Sequence, residues 1–113
     1  GYIKDKERKE LYLTLSFLMS QGKGLSESLK EILSGFEKRD IAPKINNGPF
    51  VNNENTFKVN LIEFEKLISE GSSVDNAARI CFGGISVFEE ICLTYCNERN
   101  YEGFQQASKI IGE

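Results

Sequence analysis

Two of the three cysteines are the residues whose type and spacing come nearest to chemistry. Cys92 and Cys96 are four residues apart, so on a helix they are neighbours, and two thiolates would supply half of a zinc site. Structural zinc requires four nitrogen or sulfur ligands, and only Cys81 remains because the chain contains no histidine. Cys92 also falls on an apolar stripe, and free cysteine is commonly buried. We therefore predict core cysteines rather than a zinc site.

Carboxylates are the second group whose spacing could serve chemistry. Glu98 and Glu102 are four residues apart and could share a helix face, which would interest a hard cation such as calcium. Calcium takes about six to eight oxygen ligands, usually gathered by a dedicated acidic loop, and the sequence holds no such motif. We therefore interpret this pair, like Glu89 and Glu90, as part of a solvated helix surface.

Catalysis and cofactor binding are not indicated by any residue pattern. A nucleophilic cysteine would need a neighbouring base, usually histidine, which the chain lacks. Gly22 and Gly24 form a lone glycine pair that follows a helical pattern rather than a strand, so no phosphate-binding loop is predicted. We predict no enzymatic activity, no cofactor and no metal, which leaves binding as the expected role.

The hydrophobic spacing that would position these side chains is helical along most of the chain. Leu11, Leu15 and Leu18 are spaced i, i+4, i+7, and no stretch shows the alternation of a strand. Segments 20–29 and 69–78 echo each other: each has a helix end, a glycine and an apolar residue that starts the next helix. That echo is typical either of any helix–glycine–helix hairpin or of two related hairpins. The predicted helices cover residues 4–21, 26–38, 55–70, a short segment after Ser73, 86–97 and about 101–111.

The predicted fold is all-α: an antiparallel bundle of about six helices in a single domain, 1–113. Two helical-hairpin halves, about 4–38 and 55–111, would be joined by a polar loop at 39–54 that contains both prolines. A net charge of −3 does not favour a nucleic-acid partner, and unpaired cysteines favour a reducing cytoplasm. The predicted core comprises Leu15, Leu18, Leu29, Ile32, Leu61, Phe64, Leu67, Phe88, Ile91 and Phe104.

Three short motifs, in matching order, resemble a known family. Residues 15–29 fit the pattern L-x-x-L-x-x-x-G-x-x-L-x-x-x-L, and residues 70–77 resemble E-G-x-S-L-x-x-A. Asn97 and Glu98, followed by Phe104, stand where the family often has G-E-x-x-G-x-L. The chain resembles the cytoplasmic domains of type II secretion F and type IV pilus inner-membrane platform proteins. Its asparagine-rich connection suggests a divergent type IVb member.

The resemblance implies a mechanical function. The full protein would be polytopic in the bacterial inner membrane, with this domain in the cytoplasm and a membrane segment following Glu113. The bundle would dock a pilus assembly ATPase and other inner-membrane pilus machinery proteins, with pilin and a second copy as further candidates, and would transmit motion to pilin addition. Some secretion-system relatives hold calcium through the family glutamate, but the residues beside Glu98 differ, so we expect no metal there.

Partner contacts are expected at exposed residues that packing does not need. On the first helix these are Lys4, Arg8 and Lys9, and on the polar loop Phe50 and Val51 could be apolar anchors. The alternative is that these charges only keep the chain soluble and the loop only connects helices. The alternative function is a free-standing cytosolic adaptor that binds a peptide or a partner helix.

Overall fold

The computed structural model describes residues 3–41 and 49–112, and six helices account for most of them. No strand occurs within these residues, so the predicted all-α helical bundle is confirmed. The helices are α1 (Asp5–Ser20), α2 (Leu25–Ile41), α3 (Pro49–Ser69), α4 (Val74–Cys81), α5 (Val87–Leu93) and α6 (Glu102–Ile110). None of the described helices is both long enough and apolar enough to cross a membrane.

The six helices pack in a closed circuit. Each helix contacts the next one along the chain, and α6 also packs along α1. The Nζ atom of Lys9 on α1 donates hydrogen bonds of 3.0 Å to the carbonyls of Ser108 and Ile111. Because the last carbonyls of a helix lack partners within it, this lysine satisfies the end of α6. The contact ties the two ends of the described chain together.

Aromatic rings form the centre of the core. Tyr12 lies between Phe82 and Phe104, with ring centroids 6.4 and 5.7 Å away, and Phe82 stacks on Phe64 at 4.7 Å. All four side chains are fully buried. Since each aromatic side chain removes about 150–250 Å² from water, this cluster makes a large apolar contribution to the fold. It joins α1, α3, the end of α4 and α6.

Most of the predicted core residues are buried, but two are not. Leu15, Leu29, Leu61, Phe64 and Phe104 are fully buried, and Ile32 and Leu67 pack against the core from half-buried positions. Leu18 is half-buried. The prediction was wrong for Phe88 and Ile91, which are exposed on α5. Both lie on one helical stripe as expected, but that stripe faces outward because α5 buries the carboxylate of Glu89 instead.

The two echoing segments have the same backbone geometry. Gly22 and Gly71 both have φ of 98°, a left-handed conformation that suits glycine, and each donates its N–H to a carbonyl three residues earlier at 3.0 Å. The next helix then starts three residues later, at Leu25 and at Val74, both buried. In both segments, therefore, one helix ends at a left-handed glycine and the next helix begins three residues later.

The polar connection is shorter than predicted. α2 continues to Ile41 and α3 begins at Pro49, so the predicted 39–54 boundary was wrong at both ends. Proline is favoured at the first helical position because its missing N–H would have no helical partner there. Phe50 and Val51 consequently lie in the first turn of α3 rather than in a loop. Residues 42–48 lie outside the described residues.

Candidate functional site

Helix α5 turns four large apolar side chains toward solvent. Val87, Phe88, Ile91 and Tyr95 are 68%, 71%, 50% and 66% exposed, and we call these four residues the α5 face. Their spacings of three and four residues place them on one side of the helix and of the turn that follows it. Single exposed apolar side chains are ordinary, but a contiguous group of this kind is typical of an interaction surface.

The opposite side of α5 buries a carboxylic acid. Glu89, Leu93 and Cys96, which again repeat at intervals of four and three residues, are the buried positions. Glu89 is only 1% exposed. A helix that hides an acid and exposes aromatic rings reverses the usual arrangement, so a specific interaction must hold the acid inside.

Arg8, Tyr12 and Glu89 form that interaction, and we call it the Arg8 network. Arg8 Nε and Nη2 donate to the two carboxylate oxygens of Glu89 at 2.8 and 2.9 Å, and the Tyr12 hydroxyl donates to Glu89 Oε2 at 2.6 Å. Arg8 Nη1 donates to the Ile3 carbonyl at 2.9 Å, and Nη2 also reaches Asp5 Oδ1 at 2.8 Å. The forked geometry satisfies both buried charges and connects the start of α1 to α5.

The charge states of the network follow from burial and from the short contacts. Burial lowers the pKa of Arg8, but the hydrogen bond and charge of Glu89 outweigh this effect and raise the pKa, so the guanidinium stays cationic. Burial, reinforced by the charge of Glu89, raises the pKa of Tyr12 well above its usual value, so the phenol stays a neutral donor. With both carboxylate oxygens occupied and buried, Glu89 has no access to a substrate. The network is therefore structural rather than catalytic.

The structure places the predicted contact residues in different environments. Arg8 was predicted to be an exposed contact, and this was wrong: it is 4% exposed because Glu89 draws its guanidinium into the core. Lys9 is half-buried and engaged with the end of α6, whereas Lys4 is exposed. The side chains of Phe50 and Val51 lie outside the described residues. Among the described side chains, the predicted contact residues do not form one surface. The sequence-based prediction also did not include the α5 face.

A signal for the α5 face was present in the sequence. Segment 85–96 has apolar residues on both sides of a helix, including Ile85 and Leu93 opposite Phe88 and Ile91. A short helix with large apolar residues on opposite sides cannot bury both sets against one bundle. One set is therefore left exposed, although periodicity does not say which.

Glu98, the residue that matches the family glutamate, sits at the start of α2. Its backbone carbonyl accepts the N–H of Leu25 at 3.2 Å, and its Oε1 accepts the N–H of Ser26 at 3.4 Å. Gly24 makes room, because a Cβ at this position would lie 2.3 Å from Oε1. The glutamate thus supplies, from a distant segment, the acceptor that an N-cap side chain normally provides.

Replacing Glu98 by alanine is expected to lower the free energy of unfolding by about 0.5–1 kcal/mol, because α2 loses this acceptor. Chemical denaturation followed by circular dichroism measures the change. Glu10→Ala, at an exposed site on α1, is the matched control and should have a smaller effect. Equal effects for the two variants would contradict the capping role.

The three cysteines are free thiols in unlike environments. Cys81 and Cys96 are buried and Cys92 is half-buried. Burial raises the pKa of Cys81 to about 11 and that of Cys96 to about 12, and it also raises the pKa of Cys92. All three are therefore protonated near neutral pH. The core position predicted for Cys81 is confirmed, and Cys92, also predicted to lie in the core, is half-buried and packs against it.

In the native protein we expect Cys92 to react first with a thiol reagent such as DTNB, because only this sulfur is partly accessible. The amount of thiolate released from the reagent over time should show one cysteine that reacts faster and two that react slowly. In denaturant, all three cysteines should react together. Cys92→Ser should remove the faster group. A faster reaction at Cys81 or Cys96 would contradict the arrangement of α5.

Among the described residues, the α5 face is the largest group of neighbouring exposed apolar side chains, compared with the pairs Leu13 and Phe17 on α1 and Val59 and Ile62 on α3. No group of three or more acidic, cysteine or histidine side chains among the residues described could hold a metal ion. No protein family model, curated protein or solved structure matches this chain.

Proposed function

We propose that this chain is a protein-docking domain that binds its partner through the α5 face. We further propose that it serves as the cytoplasmic domain of an inner-membrane platform protein for type IV pilus assembly, with the assembly ATPase as the partner on that face. The observation that supports docking is the reversed amphipathicity of α5, which exposes Phe88, Ile91 and Tyr95 while it buries Glu89.

The chemistry of the face suits a protein partner. Interface cores are enriched in aromatic and large aliphatic residues and depleted of charge, and the four side chains of the α5 face fit that composition. Together they present on the order of 400 Å² of apolar surface, in the range of the largest patch on a typical monomer. The face is built on a helix that is fixed by a buried ion pair, so a partner would meet a preformed surface.

The pilus role is supported by where the family-like motif residues lie. Leu15, Leu25 and Leu29 are buried, and Gly22 ends α1 in the left-handed conformation that the pattern requires. Those positions specify the α1–α2 hairpin rather than a contact surface. The motif thus agrees with the fold, and the α5 face supplies the element that such a domain needs in order to receive force from another protein.

The direct test is titration of the purified chain with a type IV pilus assembly ATPase, followed by calorimetry. Phe88→Ser and Tyr95→Ser should each weaken binding about 10-fold or more, because truncation of a central aromatic anchor typically has an effect of this size. Phe17→Ser is the matched control, since Phe17 is 61% exposed on α1, and its affinity should equal that of the wild type.

Three other outcomes would contradict or change the proposal. Equal affinities for all four proteins would contradict docking through the α5 face. Absence of any binding to the ATPase, together with tight binding of a defined peptide helix, would favour a free-standing adaptor. Weakening by substitution of Lys4 alone would move the contact to the start of α1, where that side chain is exposed.

A further inference from the structure

The rotation of α5 about its axis is not the one that the residues of this helix would favour alone. A rotation of the helix by about half a turn would bury Phe88 and Ile91 in exchange for Leu93 and Cys96, and would return Glu89 to water. Burial of apolar surface and hydration of a carboxylate both favour that rotated arrangement when α5 is considered alone. Contacts from other helices must therefore disfavour it.

Arg8 provides the main contact of this kind. Its guanidinium is buried on α1, where it also donates to the Ile3 carbonyl, so it cannot follow Glu89 to the surface without giving up that bond. Rotation of α5 would take away the buried, bidentate carboxylate of this cation and leave it only the exposed carboxylate of Asp5, which is unfavourable. Tyr12 would lose its acceptor as well, because its hydroxyl donates to Glu89.

A second contact holds the adjacent acid from the other side. Glu90 Oε1 accepts from Arg79 Nη1 at 2.7 Å, and Arg79 in turn donates to Asn76 Oδ1 at 2.7 Å on the same helix, α4. Neighbouring carboxylates of α5 are thus paired with different helices, Glu89 with α1 and Glu90 with α4. Because these two ion pairs leave the same turn of α5 toward different helices, together they favour one rotation of α5 about its axis.

We propose that Arg8, Tyr12 and Glu89 are positioning residues for the α5 face: they hold α5 in the rotation that exposes Val87, Phe88, Ile91 and Tyr95. Their contribution is orientation rather than net stability, because a buried ion pair can often be replaced by apolar residues of similar volume without loss of stability. The importance of this orientation for binding rests on the proposed function, whereas the orientation itself can be measured without a partner.

The experiment compares two variants that separate orientation from stability. Arg8→Met/Glu89→Met removes both charges and retains volume, so the bundle should stay folded while α5 is released to turn its apolar face inward. Arg8→Lys retains a cation but loses the forked contact, so it should be less stable and yet keep α5 in place. Hydroxyl-radical footprinting with mass spectrometry reports the side-chain exposure of Phe88, Tyr95 and Leu93 in each protein.

The wild type and Arg8→Lys should show strong oxidation at Phe88 and Tyr95 and protection at Leu93. In Arg8→Met/Glu89→Met, oxidation at Phe88 should fall severalfold at a melting temperature close to that of the wild type, and affinity for the assembly ATPase should fall about 10-fold or more. Unchanged footprints in the double variant would overturn the proposal. So would failure of that variant to fold, or the loss of Phe88 exposure in Arg8→Lys.

Failure of the proposed function would look different. If the wild type binds no partner while the footprints change as expected, the positioning role stands and the docking role does not. If binding is strong and sensitive to Phe88→Ser but the footprints of all variants are alike, the docking role stands and the positioning role falls.

Discussion

Replacing Arg8 by methionine is expected to lower the free energy of unfolding by about 3–5 kcal/mol. The substitution leaves Glu89 buried at 1% exposure without its bidentate partner, and an uncompensated charge in the interior is among the most destabilising changes in a small domain. Urea denaturation monitored by circular dichroism gives the value directly. A loss below about 1 kcal/mol would show that Glu89 reaches water easily and that the network constrains little.

The matched comparison for this variant is Arg8→Met/Glu89→Met. Removal of both charges should recover much of the lost stability, since no charge is left unpaired and only the Tyr12 hydroxyl loses its acceptor. Arg79→Met tests the other ion pair of α5. Because Arg79 is 55% exposed, its loss should cost no more than about 1 kcal/mol.

Replacing Gly103 by alanine is expected to cost about 1–3 kcal/mol, because no room exists for a side chain at this position. A Cβ on Gly103 would lie 2.3 Å from the backbone carbonyl oxygen of Cys92 and 2.5 Å from the Sγ of Cys96. A backbone carbonyl cannot swing aside as a flexible side chain can, so α6 would have to move away from α5. Thermal unfolding and chemical denaturation both measure this change.

Gly35→Ala serves as the control for Gly103→Ala. Gly35 lies within α2, and a Cβ there would meet nothing within 4 Å. Alanine is the better helix former, so this variant should gain about 0.5–1 kcal/mol. Losses of equal size at the two positions would contradict the close approach of α5 and α6.

The features that could be predicted from the sequence are those that local spacing determines. The 3.6-residue repeat of Leu11, Leu15 and Leu18 placed α1, and Gly22 and Gly71 marked the ends of α1 and α3 because a left-handed residue is a local requirement. A short helix was predicted after Ser73, and the Ser73 side chain caps α4 by accepting the N–H of Asn76. The fold class follows from signals of this kind.

The orientation of α5 could not be predicted because it depends on partners far away in the chain. Arg8 and Glu89 are separated by 81 residues, and nothing in the local pattern of either helix indicates that they meet. The hydrophobic stripe of Phe88 and Ile91 was interpreted as core, which is the usual outcome for such a stripe. The same limit applies to Glu98, whose contact with Ser26 spans 72 residues.

The roles of Gly103 and Pro49 also depend on the helices around them rather than on the local sequence pattern. Gly103 lets α6 lie against the Cys92 carbonyl because it has no side chain, and no local pattern indicates this contact. Pro49 was taken as part of a polar loop, yet it is the first residue of α3. In both cases the residue type was known, but its role depends on the element that packs against it or begins there.

The central claim is that a partner protein docks on the α5 face, and mapping the contact by NMR tests it most directly. The isotope-labelled chain would be titrated with the unlabelled assembly ATPase, and the amide and methyl signals that change on binding would be identified. The largest changes are expected at residues 87–95. Leu13 and Phe17 on α1 should be little affected, although they too are exposed. Binding that leaves residues 87–95 unchanged, with the perturbed signals clustered at Lys4 or elsewhere on the bundle, would contradict it.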